Sequence, residues 1–290
     1  MRLIFVHGRA QAGKDADALK SLWMNTFQEG LKKAGLVMPE DVEVLFPFYG
    51  NILEDLVSKL GRGRSDDAEV KGEGIEDRMA AFQKDFLFEM AQNAGISEEE
   101  LYVETPVTEK GLMNMRMVRA LLKLMDAKGI GSEQALKVFT RDVYAYLKIP
   151  AIASRINGVV HAALNNEPTV VVGHSLGSIV SYCVLSAMPG ICVKKFITIG
   201  SPLGVRAVKD SLPLPLKMPP GVRDGWFNAY DARDIVALRP LDKDHFDIEP
   251  PVSNYEKCCN QTDNRHGIEG YLNDAVVAEN IYDGLTGKSR

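Results

Sequence analysis

The hydrophobic positions of the chain form short apolar runs that alternate with longer stretches of helical spacing. Strands are predicted at 2–6, 42–46, 169–172, 193–199 and 226–230, and helices at 15–34, 75–94, 97–103, 111–128, 132–148, 150–165 and 268–285. Strands that alternate with helices form βαβ units, and such units build parallel sheets. We therefore predict an α/β fold with a mostly parallel central sheet flanked by helices.

The segment between the second and third predicted strands has a different pattern of hydrophobic and polar residues. It carries amphipathic helical stripes without strand patterns, and a polar stretch rich in Gly, Arg, Asp and Ser interrupts it at 60–74. We predict a sheet core formed by residues 1–50 and 165–290, and a helical insertion formed by residues 51–164. The insertion is expected to be a lid over the core or a region that binds a partner.

Composition narrows the functional classes. The 290 residues are 46% hydrophobic and 25% charged, with a net charge of −5, which is ordinary for a globular protein. No basic patch indicates a nucleic-acid partner, and no apolar run is long enough to span a membrane. The four cysteines lack metal-ligand spacing, and the apolar run at 3–6 is too short for a signal peptide. We expect reduced thiols and a cytoplasmic protein.

Candidate chemistry appears where the third predicted strand ends. The β-branched run at 169–172 leads into G-x-S-x-G at 173–177, and residues 179–185 continue with helical spacing. A strand, a sharp turn and a helix in this order form a nucleophile elbow, which exposes a serine hydroxyl at the sheet edge. The two glycines allow the strand and helix backbones to approach closely. The pattern predicts Ser175 as a nucleophile.

A serine hydroxyl needs an imidazole base, which follows the serine along the chain in sheet hydrolases with this elbow. Two histidines follow Ser175. His245 stands among carboxylates, as in a charged surface loop, whereas His266 lies in a loop just before the last predicted helix. We therefore predict His266 as the base.

The imidazole needs a carboxylate that fixes its tautomer, and this acid is expected between the serine and the histidine. Two aspartates follow the predicted strand at 226–230. Asp234 is the preferred acid, and Asp231 is the alternative acid, because it comes directly after the strand and can serve instead to orient the turn.

Two main-chain N–H groups are needed to stabilise the oxyanion of a tetrahedral intermediate. One is expected from Leu176, which follows the nucleophile at a helix N-terminus. The other is expected from Arg9, because Gly8 allows the loop after the first strand to turn inward. His7 is predicted to be a structural residue of that loop.

These segments resemble the α/β-hydrolase superfamily, in its broad lipase-like and esterase-like group. The matching segments are 5–8, 173–177, 200–203, 234–236 and His266. The resemblance covers about 1–50 and 165–285 and implies a hydrolase-like sheet without the leading strands, because strand 2–6 matches the third strand of a full member. It implies a serine hydrolase that cleaves small-molecule or lipid esters, or thioesters, through an acyl-enzyme, without a metal or an organic cofactor. The Asp-Ile-Val string at 234–236 is similar to the acid loop of many lipases.

Two other functions remain open at the level of sequence. Residues 8–15 fit the phosphate-binding pattern G-x-x-x-x-G-K after a strand, although Asp15 stands where the pattern has a magnesium-binding Ser or Thr. A nucleotide-binding protein is therefore an alternative. The other alternative is a catalytically silent hydrolase core whose helical insertion binds a partner.

Overall fold

The computed structural model describes residues 1–60, 74–97, 99–100, 113–262 and 265–288. Its strands are β1 (Arg2–Val6), β2 (Glu43–Leu45), β3 (Thr169–His174), β4 (Val193–Ile199), β5 (Trp226–Ala229) and β6 (Ser253–Tyr255). They form one six-stranded sheet in the order β2-β1-β3-β4-β5-β6, and every neighbouring pair is parallel. The predicted α/β fold with a parallel central sheet is confirmed.

Helices flank this sheet. They are α1 (Ala16–Lys33), α2 (Gly50–Leu60), α3 (Ile75–Asn93), α4 (Met113–Ala127), α5 (Glu133–Lys148), α6 (Pro150–Ala162), α7 (Leu176–Ser186), α8 (Arg206–Lys209), α9 (Glu269–Leu272) and α10 (Ala275–Thr286). Between β2 and β3 the described residues form helices without strands. Most of the polar stretch at 60–74 and of the helix predicted at 97–103 lies outside the described residues. Among the described helices, none combines the length and apolarity that a bilayer crossing requires.

The helix predicted at 268–285 is in fact two helices. The first ends at Leu272, and the second begins at Ala275 after Asp274. The Asp274 carboxylate accepts hydrogen bonds from the N–H groups of Val276 and Val277 at 2.8 and 3.1 Å, which is a helix N-cap. The cap starts a new helix and thereby separates the short α9, which directly follows His266, from the packing helix α10.

The two faces of the sheet bury separate hydrophobic clusters, because alternate residues of a strand point to opposite faces. On one face, Leu3 and Phe5 pack with Trp23 and Phe27 of α1 and with residues of α10. On the other face, a larger cluster runs from the sheet into α3, α4 and α5 without interruption. The helical segment between β2 and β3 therefore shares its core with the sheet.

The strand order reverses beside β1. The chain runs outward from β1 to the edge strand β2 and then returns to β3 on the opposite side of β1. In an open parallel sheet the loops leave the carboxyl ends of two such strands in opposite directions, and a crevice opens between them. The carboxyl ends of β1 and β3 carry Gly8 and Ser175, so the topology brings these two predicted site segments together.

Candidate active site

Ser175 lies on a sharp turn between β3 and α7. Its backbone has φ 55° and ψ −127°, a region that residues with a side chain rarely adopt. A Cβ on Gly177 would overlap the carbonyl oxygen of Val6, and one on Gly173 would lie 2.8 Å from the Cα of Ser178. Glycine is therefore required at both positions for α7 to pack against β1 and β3, and the resulting turn holds Ser175 at the end of the sheet.

The structure brings Ser175, His266 and Asp234 together in a chain of hydrogen bonds. The Ser175 Oγ lies 2.8 Å from the His266 Nε2, and the His266 Nδ1 lies 2.7 Å from the Asp234 Oδ2. A carboxylate only accepts hydrogen bonds, so Nδ1 carries the proton, and Nε2 is left to accept from the serine hydroxyl. Ser175 and Asp234 are buried, whereas the imidazole side chain is 15% exposed.

The Asp234 carboxylate is held on both of its oxygens. Its Oδ1 accepts the N–H of Val236 at 2.8 Å, and its Oδ2 accepts the hydroxyl of Tyr271 at 2.6 Å in addition to His266. Burial and then the neighbouring carboxylate raise the pKa of Tyr271 well above its ordinary value. The phenol therefore stays protonated and fixes the carboxylate that faces His266.

Asp231, the alternative acid, has other partners. Its Oδ1 accepts the N–H of Arg233 at 2.8 Å and pairs with the Arg233 guanidinium, and its Oδ2 accepts the N–H of Asn260 at 2.9 Å. These contacts tie the loop after β5 to the segment after β6. His245 forms a 2.7 Å contact with Asp242 in its own loop, as its charged surroundings suggested.

His174, the residue before the nucleophile, holds the loop that carries His266. The His174 Nε2–H donates to the carbonyl oxygen of His266 at 2.9 Å, and the two rings lie 4.8 Å apart. Burial and then the nearby His266 lower the pKa of His174 well below its ordinary value, so this ring is neutral. The G-x-S-x-G pattern includes position 174, but it does not show that the His174 side chain binds the carbonyl group of His266.

The two predicted oxyanion segments lie on either side of Ser175. Leu176 is the first residue of α7, and the N–H at this position of a helix has no partner within the helix. A Cβ on Gly8 would lie 2.9 Å from the Cβ of Ser175, so the Gly8–Arg9 backbone runs directly beside the nucleophile.

A cavity of about 300 Å³ opens over Ser175 and His266. Leu19, Leu22 and Trp23 of α1 line one side of it, and Phe139 of α5 lines another. The Phe139 ring lies 6.4 Å from the His266 ring at an angle of 77°. Part of the wall is therefore supplied by the helical segment between β2 and β3, and sequence reasoning did not identify Phe139 as the residue that supplies it. Two larger cavities of about 460 and 760 Å³ contain none of the three hydrogen-bonded residues.

No protein-family model, curated protein or solved structure matches this chain.

The phosphate-loop-like segment 8–15 has internal partners for its polar groups. The Gly13 N–H donates to the Asn51 side chain at 2.7 Å, and the Lys14 ammonium donates to the Gln11 side chain at 3.1 Å. The Asp15 carboxylate accepts the N–H of Ala18 at 2.7 Å and caps α1. This carboxylate occupies the helix N-terminus at which a phosphate loop binds its anion.

We expect Tyr271→Phe to lower kcat/KM for a p-nitrophenyl ester about tenfold, because the Asp234 carboxylate loses a charged hydrogen bond that orients it. Stability is expected to fall by about 1–3 kcal/mol, since the buried N–H of Asp231 also loses Tyr271 as its acceptor. Steady-state kinetics and urea unfolding measure the two effects. Tyr282→Phe removes a phenolic hydroxyl from α10 and is the matched control. Unchanged kcat/KM in Tyr271→Phe would exclude a positioning role.

His7 at the end of β1 is buried and neutral. The Tyr49 N–H donates to its Nε2 at 3.0 Å, and its Nδ1–H donates to the Gly8 carbonyl at 2.6 Å. Burial is the largest cause that lowers the pKa of His7 to about 4; the Gly8 carbonyl opposes this shift, and Lys14 adds to it. His7 therefore acts as a structural anchor for the loop beside Ser175.

The low pKa of His7 predicts acid sensitivity. The unfolded chain binds a proton near its ordinary pKa of 6.5, whereas the folded chain does so only near 4. The stabilisation is complete above pH 6.5 and is lost as the pH falls from 6.5 towards 4, by about 2 kcal/mol between pH 7 and pH 5. Urea unfolding at the two pH values measures the loss.

The control for this prediction is the exposed His161 of α6. We expect His7→Asn to reduce the pH dependence of the unfolding free energy and His161→Asn to leave it unchanged. The buried His174 contributes in the same direction as His7, so a residual slope is expected in the His7 variant. An unaltered slope in His7→Asn would contradict the assignment.

Proposed function

We propose that the chain is a serine hydrolase that cleaves carboxylic esters, or thioesters, through an acyl-enzyme on Ser175. The observation that supports this proposal is the unbroken hydrogen-bond chain from Ser175 through His266 to Asp234. It stands at the carboxyl end of a parallel sheet, on a strained turn, beside an open cavity. In our proposal the chain has an α/β-hydrolase-like core.

The mechanism follows from the directions of these hydrogen bonds. His266 Nε2 takes the proton of Ser175 as Oγ attacks the ester carbonyl, and Asp234 stabilises the imidazolium that forms. The N–H groups of Leu176 and Arg9 stabilise the negative oxygen of the tetrahedral intermediate. The intermediate collapses as His266 protonates the leaving alcohol. Water then attacks the acyl-enzyme, and the same imidazole takes its proton. The bond between the acyl carbon and the Ser175 Oγ breaks, His266 returns the proton to Oγ, and the carboxylic acid leaves. These steps need neither a metal nor an organic cofactor.

The cavity supports an ester of modest size as the substrate. Its volume of about 300 Å³ is at the lower end of small-molecule sites, and Leu19, Leu22 and Trp23 offer apolar contacts to an acyl chain. We place the protein in the cytoplasm, because all four cysteines are free thiols, as expected in a reducing compartment.

A fluorophosphonate probe together with a chain-length series of p-nitrophenyl esters tests the proposal. We expect covalent labelling of Ser175, turnover of short-chain esters and loss of both in Ser175→Ala. Labelling without turnover of any ester, thioester or phospholipid would favour a silent core that binds a partner. Absence of labelling, combined with thermal stabilisation by Mg-ATP, would favour the nucleotide-binding alternative.

A further inference from the structure

The charged side chains of the cavity over Ser175 are unevenly distributed. Arg9 and Lys14 line it as cations, and Glu269 is the only acidic residue among its lining residues in the described part of the chain. Two positive charges and one negative charge leave the lining side chains with a net charge of +1, although the whole chain carries −5. Behind this lining, Asp234 is held by His266 and Asp142 by Arg141. A cavity with this charge attracts anions.

Arg9 is a mostly buried cation with a weak counter-ion. Its side chain is only 18% exposed, and its one ion-pair partner among the described residues is Asp142, at 3.9 Å. Asp142 is already engaged by Arg141, whose guanidinium donates to its Oδ1 at 3.0 and 2.8 Å. The Arg9 guanidinium therefore has N–H donors that a ligand in the cavity can engage.

The surroundings of Arg9 leave its hydrogen-bonding edge available. Its guanidinium carbon lies 5.9 Å from the centre of the Phe139 ring, a cation–π contact that needs no hydrogen-bond acceptor. Lys14 also lines the cavity, is exposed and donates to the neutral side chain of Gln11. An anion in the cavity can therefore contact a solvated cation, Lys14, and a less hydrated one, Arg9.

We propose that Arg9 and Lys14 bind a carboxylate carried by the substrate, so that the preferred ester is the monoester of a dicarboxylic acid or another singly charged ester. A carboxylate matches the planar, bidentate geometry of a guanidinium. Its single charge also balances the local charge of +1, which a doubly charged phosphate would exceed. This inference rests on the proposed function of Ser175 and adds the substrate class.

The test compares p-nitrophenyl butyrate with mono-p-nitrophenyl succinate. The two esters share a leaving group and an acyl length, but a methyl group in one is a carboxylate in the other. We expect wild type to have the higher kcat/KM for the succinate ester. Arg9→Met is expected to lower the succinate-to-butyrate ratio about tenfold, because a partly desolvated charged hydrogen bond is lost. Arg9→Lys should retain part of the preference.

Using the ratio cancels any general damage to the site, because both esters need the same Ser175 and the same backbone N–H of residue 9. Lys14→Met should lower the ratio less than Arg9→Met, since Lys14 is solvated. Lys33→Met removes the same charge from the far end of α1, about 25 Å from its start, and should leave the ratio unchanged. Added salt should reduce the preference of wild type.

A second pair, 4-acetoxybenzoate and its methyl ester, places the charge on the leaving group. A ratio that falls in Arg9→Met for either pair supports the proposal and shows which side of the ester carries the carboxylate. Equal ratios in wild type and Arg9→Met for both pairs overturn it, while the function of Ser175 stands. Stronger competitive inhibition by phenyl phosphate than by benzoate would also overturn the choice of a carboxylate. If wild type neither reacts with the fluorophosphonate probe nor hydrolyses any ester, the proposed function and this inference both fail.

Discussion

Ser175→Ala is expected to lower kcat on p-nitrophenyl butyrate by about 10⁴-fold or more. The substitution removes the hydroxyl that lies 2.8 Å from the His266 Nε2, and alanine cannot form an acyl-enzyme. The fold should persist, because the strained backbone at residue 175 is imposed by the packing of Gly173 and Gly177 rather than by the hydroxyl. Stopped-flow burst kinetics should also lose the acylation phase.

Ser58→Ala is the matched control for this variant. Ser58 lies on α2, and its hydroxyl donates to the local carbonyl of Asp55 at 2.9 Å. It should retain both full activity and full probe labelling. If Ser175→Ala kept most of the esterase activity while it melted like wild type, the activity would belong to another group and the mechanism would be wrong.

Asp234→Asn is expected to lower kcat by about 10⁴-fold with little change in KM. The amide that replaces the carboxylate can donate where His266 also donates, so the imidazole is driven to the tautomer that cannot take the proton of Ser175. The amide also lacks the negative charge that stabilises the imidazolium. Kinetics measured over a range of pH would show the loss.

Asp231→Asn is the comparison for Asp234→Asn, because it removes the same charge only three residues away. Asp231 is buried, and its carboxylate accepts the N–H groups of Arg233 and Asn260, so we expect about 1–3 kcal/mol of lost stability with near-normal kcat in the folded protein. The larger loss of kcat identifies the acid. A larger loss in Asp231→Asn would transfer the role to that residue.

The sheet and the nucleophile elbow were the parts of the molecule that could best be predicted from the sequence. The Thr-Val-Val-Val run before Ser175 has the composition of a buried strand, and the glycines at 173 and 177 indicate a close approach of two backbones. By contrast, β6 has only three residues, and Ser253 and Asn254 are exposed at the sheet edge. It lacks the alternating pattern by which a half-buried strand is recognised.

The residues that position the side chains of the candidate site were harder to predict from the sequence. Tyr271 lies five residues after His266 along the chain, but its hydrogen bond to Asp234 joins positions 37 apart in sequence. The bond from His174 to the His266 carbonyl spans 92 positions. Neither partner can be read from local periodicity, because these contacts arise only when β3, β5 and α9 come together.

The contacts of the helical segment between β2 and β3 are likewise not predictable from local sequence patterns. Its amphipathic stripes indicate which helix face is buried but not what that face packs against. Phe139 belongs to such a stripe, and only the tertiary structure places its ring beside His266 and the Arg9 guanidinium.

Because Phe139 lines the Ser175 cavity from α5 while Ser175 itself follows β3, the cavity wall and the candidate nucleophile are encoded in separate stretches of the gene. Substitutions along α5 can therefore reshape the cavity without disturbing the Ser175 turn. Conversely, deleting α5 would remove one wall of that cavity and expose the large hydrophobic cluster that α5 shares with the sheet. Redesign of this protein should therefore substitute side chains on the buried face of α5 and keep the helix itself intact.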